Sequence, residues 1–405
     1  MEGSASDILM ARQPIFDKKL NVVAYELLYR SSGTQNFAHI LDGNQATSEV
    51  LVSNFTSIFD NGNQHSVPAF INLTEDMISS QKLPSLDHEK IVLEVLESVQ
   101  VTDEIINSLK NFAAAGYRIA LDDFEYNPVY DPLLEIAHIV KVDLTLTRNA
   151  ALASLVKQLK PFKVTLLAEK VETEEEFNYC AALGFRLFQG YFLSRPKIIE
   201  GRKISGNELV LLELLSALDN PKTSPGTLEK IIIRDPSLTF KLLRIVNSSR
   251  YALTKRIESL SQAIVLIGFD EIKKWTLLIS LSSHSNQPSE LTRQVLTASH
   301  MCESIAAHTP AVNASSAFLV GMLSRLHIVL SISEEELLQR LPMSDEIATA
   351  LTHRSGVLGA ILQNTEDYMA GKWDEMDADL NYALYADTYT ESLQWSQETM
   401  SLMGR

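Results

Sequence analysis

Cysteine is nearly missing from this 405-residue chain: there are two, Cys180 and Cys302, far apart and in no metal-ligand spacing. That excludes a cysteine-rich metal site and fits a reducing cytoplasm. Positive charge is also scarce, with 35 Lys and Arg against 51 Asp and Glu, a net charge of −16. A nonspecific nucleic-acid binder needs a basic surface to replace counterions, so polynucleotides are excluded as partners. Long apolar runs are missing too. No stretch reaches the roughly 18–20 residues of a membrane helix. The longest candidates, around Leu209–Leu218 and Trp275–Leu281, are short amphipathic or core helices. The first residues, Met1 to Asp7, lack the basic and apolar regions of a signal peptide. These absences predict a cytoplasmic protein without a membrane span. What remains is an ordinary globular mixture, 45% hydrophobic and 21% charged. At roughly 150 residues per domain the length suggests two or three domains.

The chain has two halves with different rhythm. Up to about residue 200, short apolar runs alternate with longer mixed segments. The runs are Phe70–Leu73, Ile91–Leu96, Tyr117–Phe124, Ile139–Leu144, Val164–Val171 and Phe185–Leu193. Helical stretches such as Glu104–Ala115 and Ala151–Lys160 lie between them. Strands alternating with helices indicate a parallel sheet covered on both faces. Two earlier runs, Leu9–Ile15 and Val22–Tyr29, add a hairpin or further strands, and seven or eight strands close a barrel. After about Gly201 the spacing becomes helical: Asn207–Leu218, Leu228–Ile233, Leu238–Val246, Leu260–Ile267, Glu271–Leu281 and Leu291–His308. Turn signals separate these segments, and Asp235-Pro236 reads as a capped helix start. The expected organisation is an α/β barrel over 1–200 and an all-α domain over 201–405, joined near Lys197–Ser205.

A strand buried on both faces should be apolar throughout. Here polar residues recur at 72, 94, 122, 141, 169 and 189, in steps of 22, 28, 19, 28 and 20, about one βα unit each. They are Asn72, Glu94, Asp122, Lys141, Glu169 and Gln189, accompanied by Glu26, Glu97, Asp123, Asp143 and Glu172. Burying a lone carboxylate costs several kcal/mol unless it is paired or bound to metal. At the C-terminal rim of a barrel such residues converge on one cleft. Carboxylates with an amide oxygen make an all-oxygen site suited to Mg²⁺ or Mn²⁺. Lys141, alone among the acids, can hold a phosphate oxygen or orient a nucleophilic water.

In order, the first half carries Arg12-Gln13-Pro14-Ile15, Glu26-Leu-Leu-Tyr-Arg30, Ile71-Asn72-Leu73-Thr74, Glu94-Val-Leu-Glu97, Leu121-Asp122-Asp123-Phe124, Val140-Lys141-Val142-Asp143, Ala168-Glu169-Lys170-Val171-Glu172 and Phe188-Gln189-Gly190-Tyr191. In these residues it resembles the EAL domain, the cyclic-di-GMP phosphodiesterase fold, over roughly residues 8–200. The resemblance implies a TIM-like barrel. It implies metal ligation by Glu26, Asn72, Glu94 and Asp122, with Asp123 on a second metal. Lys141 then contacts the attacking water or a phosphate, and Glu169 acts as general base. Glu97 steadies the loop after the Asp-Asp pair, while Arg30, Gln189 and Gln13 face substrate. The cofactor implied is Mg²⁺ or Mn²⁺, or none where the site has degenerated. The reaction implied is hydrolysis of one phosphodiester of cyclic-di-GMP to the linear dinucleotide. The departures keep open the alternative of a weak or inactive domain that binds cyclic-di-GMP or a protein. Phe124 is followed by Glu125-Tyr126-Asn127-Pro128 where the family has glycines, Lys170 replaces a glycine, and Leu96 replaces a threonine.

The second half resembles an HDOD domain in Asp235-Pro236 through Asn247-Ser248, Ile257 to Ile264, Leu266-Ile-Gly268 and Phe318 to Leu323. No His-Asp dipeptide occurs, and Ser324-Arg325 stands where a hydrolase relative would carry it. Isolated histidines at 300, 308, 327 and 353 assign no metal here. The resemblance implies a regulatory module whose protein partner the sequence does not identify, and it admits a homodimer.

Overall fold

The computed structural model describes residues 8–31, 55–60, 63–81, 87–190, 213–214, 223–248, 251, 257, 259–284, 288–330, 333–341 and 343–403. The expected junction at Lys197–Ser205, most of the expected helix Asn207–Leu218, and Tyr191 lie outside the described residues. The chain divides into two compact units. One comprises Met1–Ile58, Gln64–Arg195 and Asp367–Thr390; the other comprises Phe59–Asn63, Pro196–Glu366 and Glu391–Arg405.

The first unit is a closed barrel of eight strands. Its strands are β1 (Ile8–Phe16), β2 (Val22–Ser31), β5 (Ala69–Leu73), β6 (Ile91–Val95), β7 (Arg118–Leu121), β8 (Ile139–Asp143), β9 (Thr165–Glu169) and β10 (Leu187–Phe188). A separate two-stranded pairing joins β3 (Ser57–Asp60) and β4 (Asn63–Ser66). Six neighbouring pairs, from β2 round to β10, run parallel, while β1 runs against both β2 and β10. The two early runs thus form a hairpin that also closes the barrel. Helices α1 (Glu75–Ser80), α2 (Asp103–Ala114), α3 (Asp131–Leu134), α4 (Asn149–Leu159) and α5 (Glu174–Leu183) alternate with the strands. Their starts follow local chemistry. Thr102 and Thr173 accept the backbone N–H of Ile105 and Glu176, and the Glu176 carboxylate returns to the Thr173 N–H.

One layer of apolar side chains fills the barrel: Ile15, Ala24, Phe70, Val92, Ala120, Ile139 and Leu167, with Leu187 packed against it. Side chains along a strand face the same way every second residue. Two positions further along the parallel strands come Glu26, Asn72, Glu94, Asp122, Lys141, Glu169 and Gln189. On the reversed β1, two positions back from Ile15 comes Gln13. The same pleat that packs the core therefore lifts one polar residue per strand to the mouth.

The second unit is helical among its described residues. It holds α6 (Pro225–Ile232), α7 (Pro236–Val246), α8 (Leu260–Ile267), α9 (Phe269–His284), α10 (Ser289–Ala307), α11 (Ala314–Leu330), α12 (Glu334–Arg340), α13 (Asp345–His353) and most of α14 (Gly356–Met369). A final helix, α15 (Tyr382–Met403), has residues in both units. Asp235 caps α7, its Oδ1 accepting from Ser237 N and Leu238 N at 2.9 and 3.1 Å. No helix of the described residues is long and apolar enough to cross a membrane.

Candidate active site at the barrel mouth

The Lys141 ammonium lies at the centre of the mouth. Its Nζ meets Asp122 Oδ1 at 2.8 Å, Glu169 Oε1 at 2.9 Å and Glu26 Oε2 at 3.4 Å, and it also bonds Glu94 Oε1. Lys141 and Glu94 are almost wholly enclosed, at 1% and 0% exposure. The register explains the meeting, because β6, β7, β8 and β9 are consecutive neighbours and each brings one of these residues to the mouth near its C-terminal end. Gln189 Nε2 donates to Glu26 Oε2 at 2.7 Å and to Gln13 Oε1 at 2.9 Å. Asn72 is directly paired with Glu94 across β5 and β6.

Four carboxylates around one ammonium leave an excess of negative charge. Burial holds Glu94 well above the usual carboxylate range; Glu26 and Asp122 add to this while Lys141 opposes it. Burial likewise pushes Glu169 up to about 8, again with Asp122 and Glu26 adding and Lys141 opposing. Burial works against the charge on Lys141, yet Glu94, Glu26, Glu169 and Asp122 outweigh it and hold the ammonium well above an ordinary lysine. Lys141 therefore stays protonated, and Glu94 and Glu169 are the groups whose protonation burial favours.

Buried polar atoms are normally hydrogen-bonded. Here Asn72 Oδ1, Glu94 Oε2, Glu169 Oε2 and Gln189 Oε1 are buried without a partner. All four are acceptors, so the missing partner is a donor or a cation. An all-oxygen set of this kind fits Mg²⁺ or Mn²⁺. Glu97, Asp122 and Asp123 form a second cluster, with one ligand atom from each lying within 4.8 Å of the others. Glu97, expected to steady the Asp-Asp loop, thus faces both aspartates directly. Asp123 is held above its usual value, first by burial and then by Asp122.

Arg30 is the one expected site residue with its charge directed elsewhere. Its Nη1 pairs with Asp374 at 2.5 Å. At the end of β9, Lys170 bonds the buried Asp143. Burial alone would raise Asp143, but Lys170 and the N–H and hydroxyl of Thr145 hold it below its usual value. Asp374 was not legible as a site residue, being 344 positions from Arg30. In the helical unit, His300 stacks on Trp395 with ring centres 4.6 Å apart and bonds Ser392. His327 is lowered by burial and by Arg325.

The barrel and its mouth define an EAL-type fold, and comparison with known proteins agrees. The EAL domain family matches residues 4–196, and the HDOD domain family matches residues 208–380. Over 97% of this chain and 99% of its own length, the uncharacterised protein YuxH of Bacillus subtilis is 34% identical. The cyclic di-GMP phosphodiesterase CdgJ of Vibrio cholerae is 32% identical over 97% of this chain and 93% of its own length. Among solved structures, the Bacillus subtilis YkuI protein, with an EAL domain and bound to c-di-GMP and calcium, is 18% identical. It covers 65% of this chain and 73% of its own, with a TM-score of 0.35. The chain belongs to the family of proteins that join an EAL domain to an HDOD domain.

Proposed function

We propose that the barrel binds cyclic di-GMP at its mouth and hydrolyses one phosphodiester to the linear dinucleotide, acting in the cytoplasm as a signalling protein. The observation that carries this reading is the set of four partnerless buried oxygens around a carboxylate-ringed Lys141. Similarity to CdgJ along nearly the whole chain supports it. Glu26, Asn72, Glu94 and Asp122 would hold one divalent ion, and Asp123 with Glu97 would face a second. Such ions supply Lewis acidity and an activated water. Glu169, pushed up to about 8, is suited to exchanging a proton near neutral pH. Lys141 supplies positive charge beneath an anionic ligand. Gln189 and Gln13 offer amides at the mouth, and Arg30 offers a guanidinium for phosphate. The helical part, taken to begin near residue 201, passes the state of the barrel to a protein partner, in a monomer or a homodimer.

One observation favours a binding protein with little turnover: the ammonium of Lys141 already sits among the carboxylates that would hold the ion. Incubation with cyclic di-GMP and Mn²⁺, with product followed by chromatography, separates the readings. Linear dinucleotide formed by wild type and lost in Glu26→Ala supports the hydrolase. Calorimetric binding without product supports the sensor. With neither binding nor product, the assignment to cyclic di-GMP falls.

A further inference from the structure

Glu26, Leu28 and Arg30 alternate along β2 and share the face that looks into the mouth. A segment from the far end of the chain, within the same compact unit, lies along that face. Its Gly371, at φ +74°, comes so near β2 that a Cβ there would stand 2.5 Å from Leu28 Cδ1. The Ala370 carbonyl accepts from Gln13 Nε2 at 3.2 Å, and the Asp374 carboxylate takes Arg30. Buried aromatic rings hold the segment in place. Tyr368, fully enclosed, meets Trp373 and Tyr385 at 6.1 Å and Tyr389 at 5.3 Å. A chain of side-chain bonds runs inward from it: Gln13 accepts from Gln189, Gln189 donates to Glu26, and Glu26 accepts from Lys141.

We propose that residues 370–374 form an autoinhibitory strap, in which the Asp374 carboxylate occupies the Arg30 guanidinium that an anionic ligand of the mouth must engage. The proposal rests on the cyclic di-GMP reading above and adds an intramolecular competitor to it. A guanidinium fork bonds carboxylate and phosphate with the same geometry, so ligand and strap exclude one another at Arg30. Side-chain exposure is 48% for Arg30 and 87% for Asp374, so the pair is open to displacement. An exposed pair is weak, which limits the bias to about five-fold in ligand affinity. The strap therefore tunes binding without blocking it. In sequence it connects α14 to α15, so it is continuous at both ends with helices that have residues in the helical unit.

The test is calorimetric titration of the full chain with cyclic di-GMP in Ca²⁺, for wild type, Asp374→Asn, Arg30→Gln and the double variant. Asp374→Asn should bind about two- to five-fold more tightly than wild type, and Arg30→Gln more weakly. The double variant should bind no better than Arg30→Gln alone. An unchanged affinity in Asp374→Asn, or an equal gain on the Arg30→Gln background, overturns the strap and leaves the cyclic di-GMP reading standing. Absence of binding in all four proteins overturns both.

Discussion

Lys141→Met removes the cation that Glu26, Glu94, Asp122 and Glu169 share while keeping most of the side-chain volume. Taking one partner from a buried charge group costs about 3–5 kcal/mol, because the remaining charges stay buried without compensation. For a unit of this size, each kcal/mol moves a melting midpoint by about 2–4 °C. The barrel transition should therefore fall by roughly 6–20 °C in EDTA at pH 8. The sign of the pH dependence follows from the acids. Glu94 and Glu169 are already raised, and without the ammonium that opposes this their folded pKa values rise further above the unfolded values near 4. Groups raised in the folded state take up protons on folding, so the penalty is absent below the unfolded values, grows between the unfolded and folded ones, and levels off above the latter. Glu169 already reaches about 8 with the lysine present, so its share of the deficit should be absent at acid pH and open as pH rises past about 8. A divalent ion held at the mouth as proposed would supply the missing charge and bind only the folded state, so Mn²⁺ should restore the variant more than it stabilises wild type. The assay is thermal denaturation followed by circular dichroism, with and without Mn²⁺, at acid and alkaline pH. A midpoint within about 2 °C of wild type at pH 8 in EDTA would refute the reasoning.

Three further outcomes are expected. Cys180 and Cys302 are buried, and burial pushes each thiol up to about 12. An Ellman titration should therefore read no fast thiol until guanidinium is added, and prompt native reaction would contradict the burial. Gly321 on α11 lies so near α10 that a Cβ would stand 2.7 Å from the Ala298 carbonyl oxygen, so Gly321→Ala should destabilise the helical unit by about 1–3 kcal/mol in urea titrations. Lys170→Gly relieves a left-handed backbone at φ +52° and loses a half-exposed ion pair with Asp143, effects that nearly offset, so stability should move by less than about 1 kcal/mol. A clear fall in urea midpoint would instead give the ion pair a structural role.

The polar interruptions were legible because the pleat repeats every two residues and burial makes an acid conspicuous. Glu94 within Ile91–Val95 and Lys141 within Ile139–Asp143 stand out for that reason. Their convergence was legible as well, since parallel strands bring equivalent ends to one rim. The reversal of β1 was legible only as one of two readings, a hairpin or further strands, because Ile8–Phe16 has the same apolar character in either direction. Strands β3 and β4 were missed, as Asn63–Ser66 is wholly polar and shows no alternation. Helix α11 was missed because Ala314–Leu330 is apolar nearly all round and lacks a contrasting face. The Asp374 contact was hidden by chain distance: nothing near residue 374 resembles a site motif.

The departure at Glu125–Pro128 acquires a different weight once the backbone is known. Glycine is required where φ is positive or where a neighbour leaves no room for a Cβ, and residues 125–128 do not take positive φ. Asn127 Oδ1 accepts from Val129 N at 3.1 Å, Tyr126 donates its hydroxyl to Asp131, and Phe124 packs edge-on against Tyr130. The segment is thus ordered by its own side chains, and Asp122 and Asp123 still meet Glu97. The left-handed positions fall instead on Asp123, at φ +40°, and on Lys170, at φ +52°. Aspartate tolerates that region better than most residues, whereas a long unbranched chain gains nothing there locally. What Lys170 contributes is charge, since its ammonium acts on Asp143, Asp123 and Glu169 together. The replacement of glycine by lysine at 170, rather than the loss of glycines after Phe124, is therefore the substitution that alters the electrostatics of the mouth.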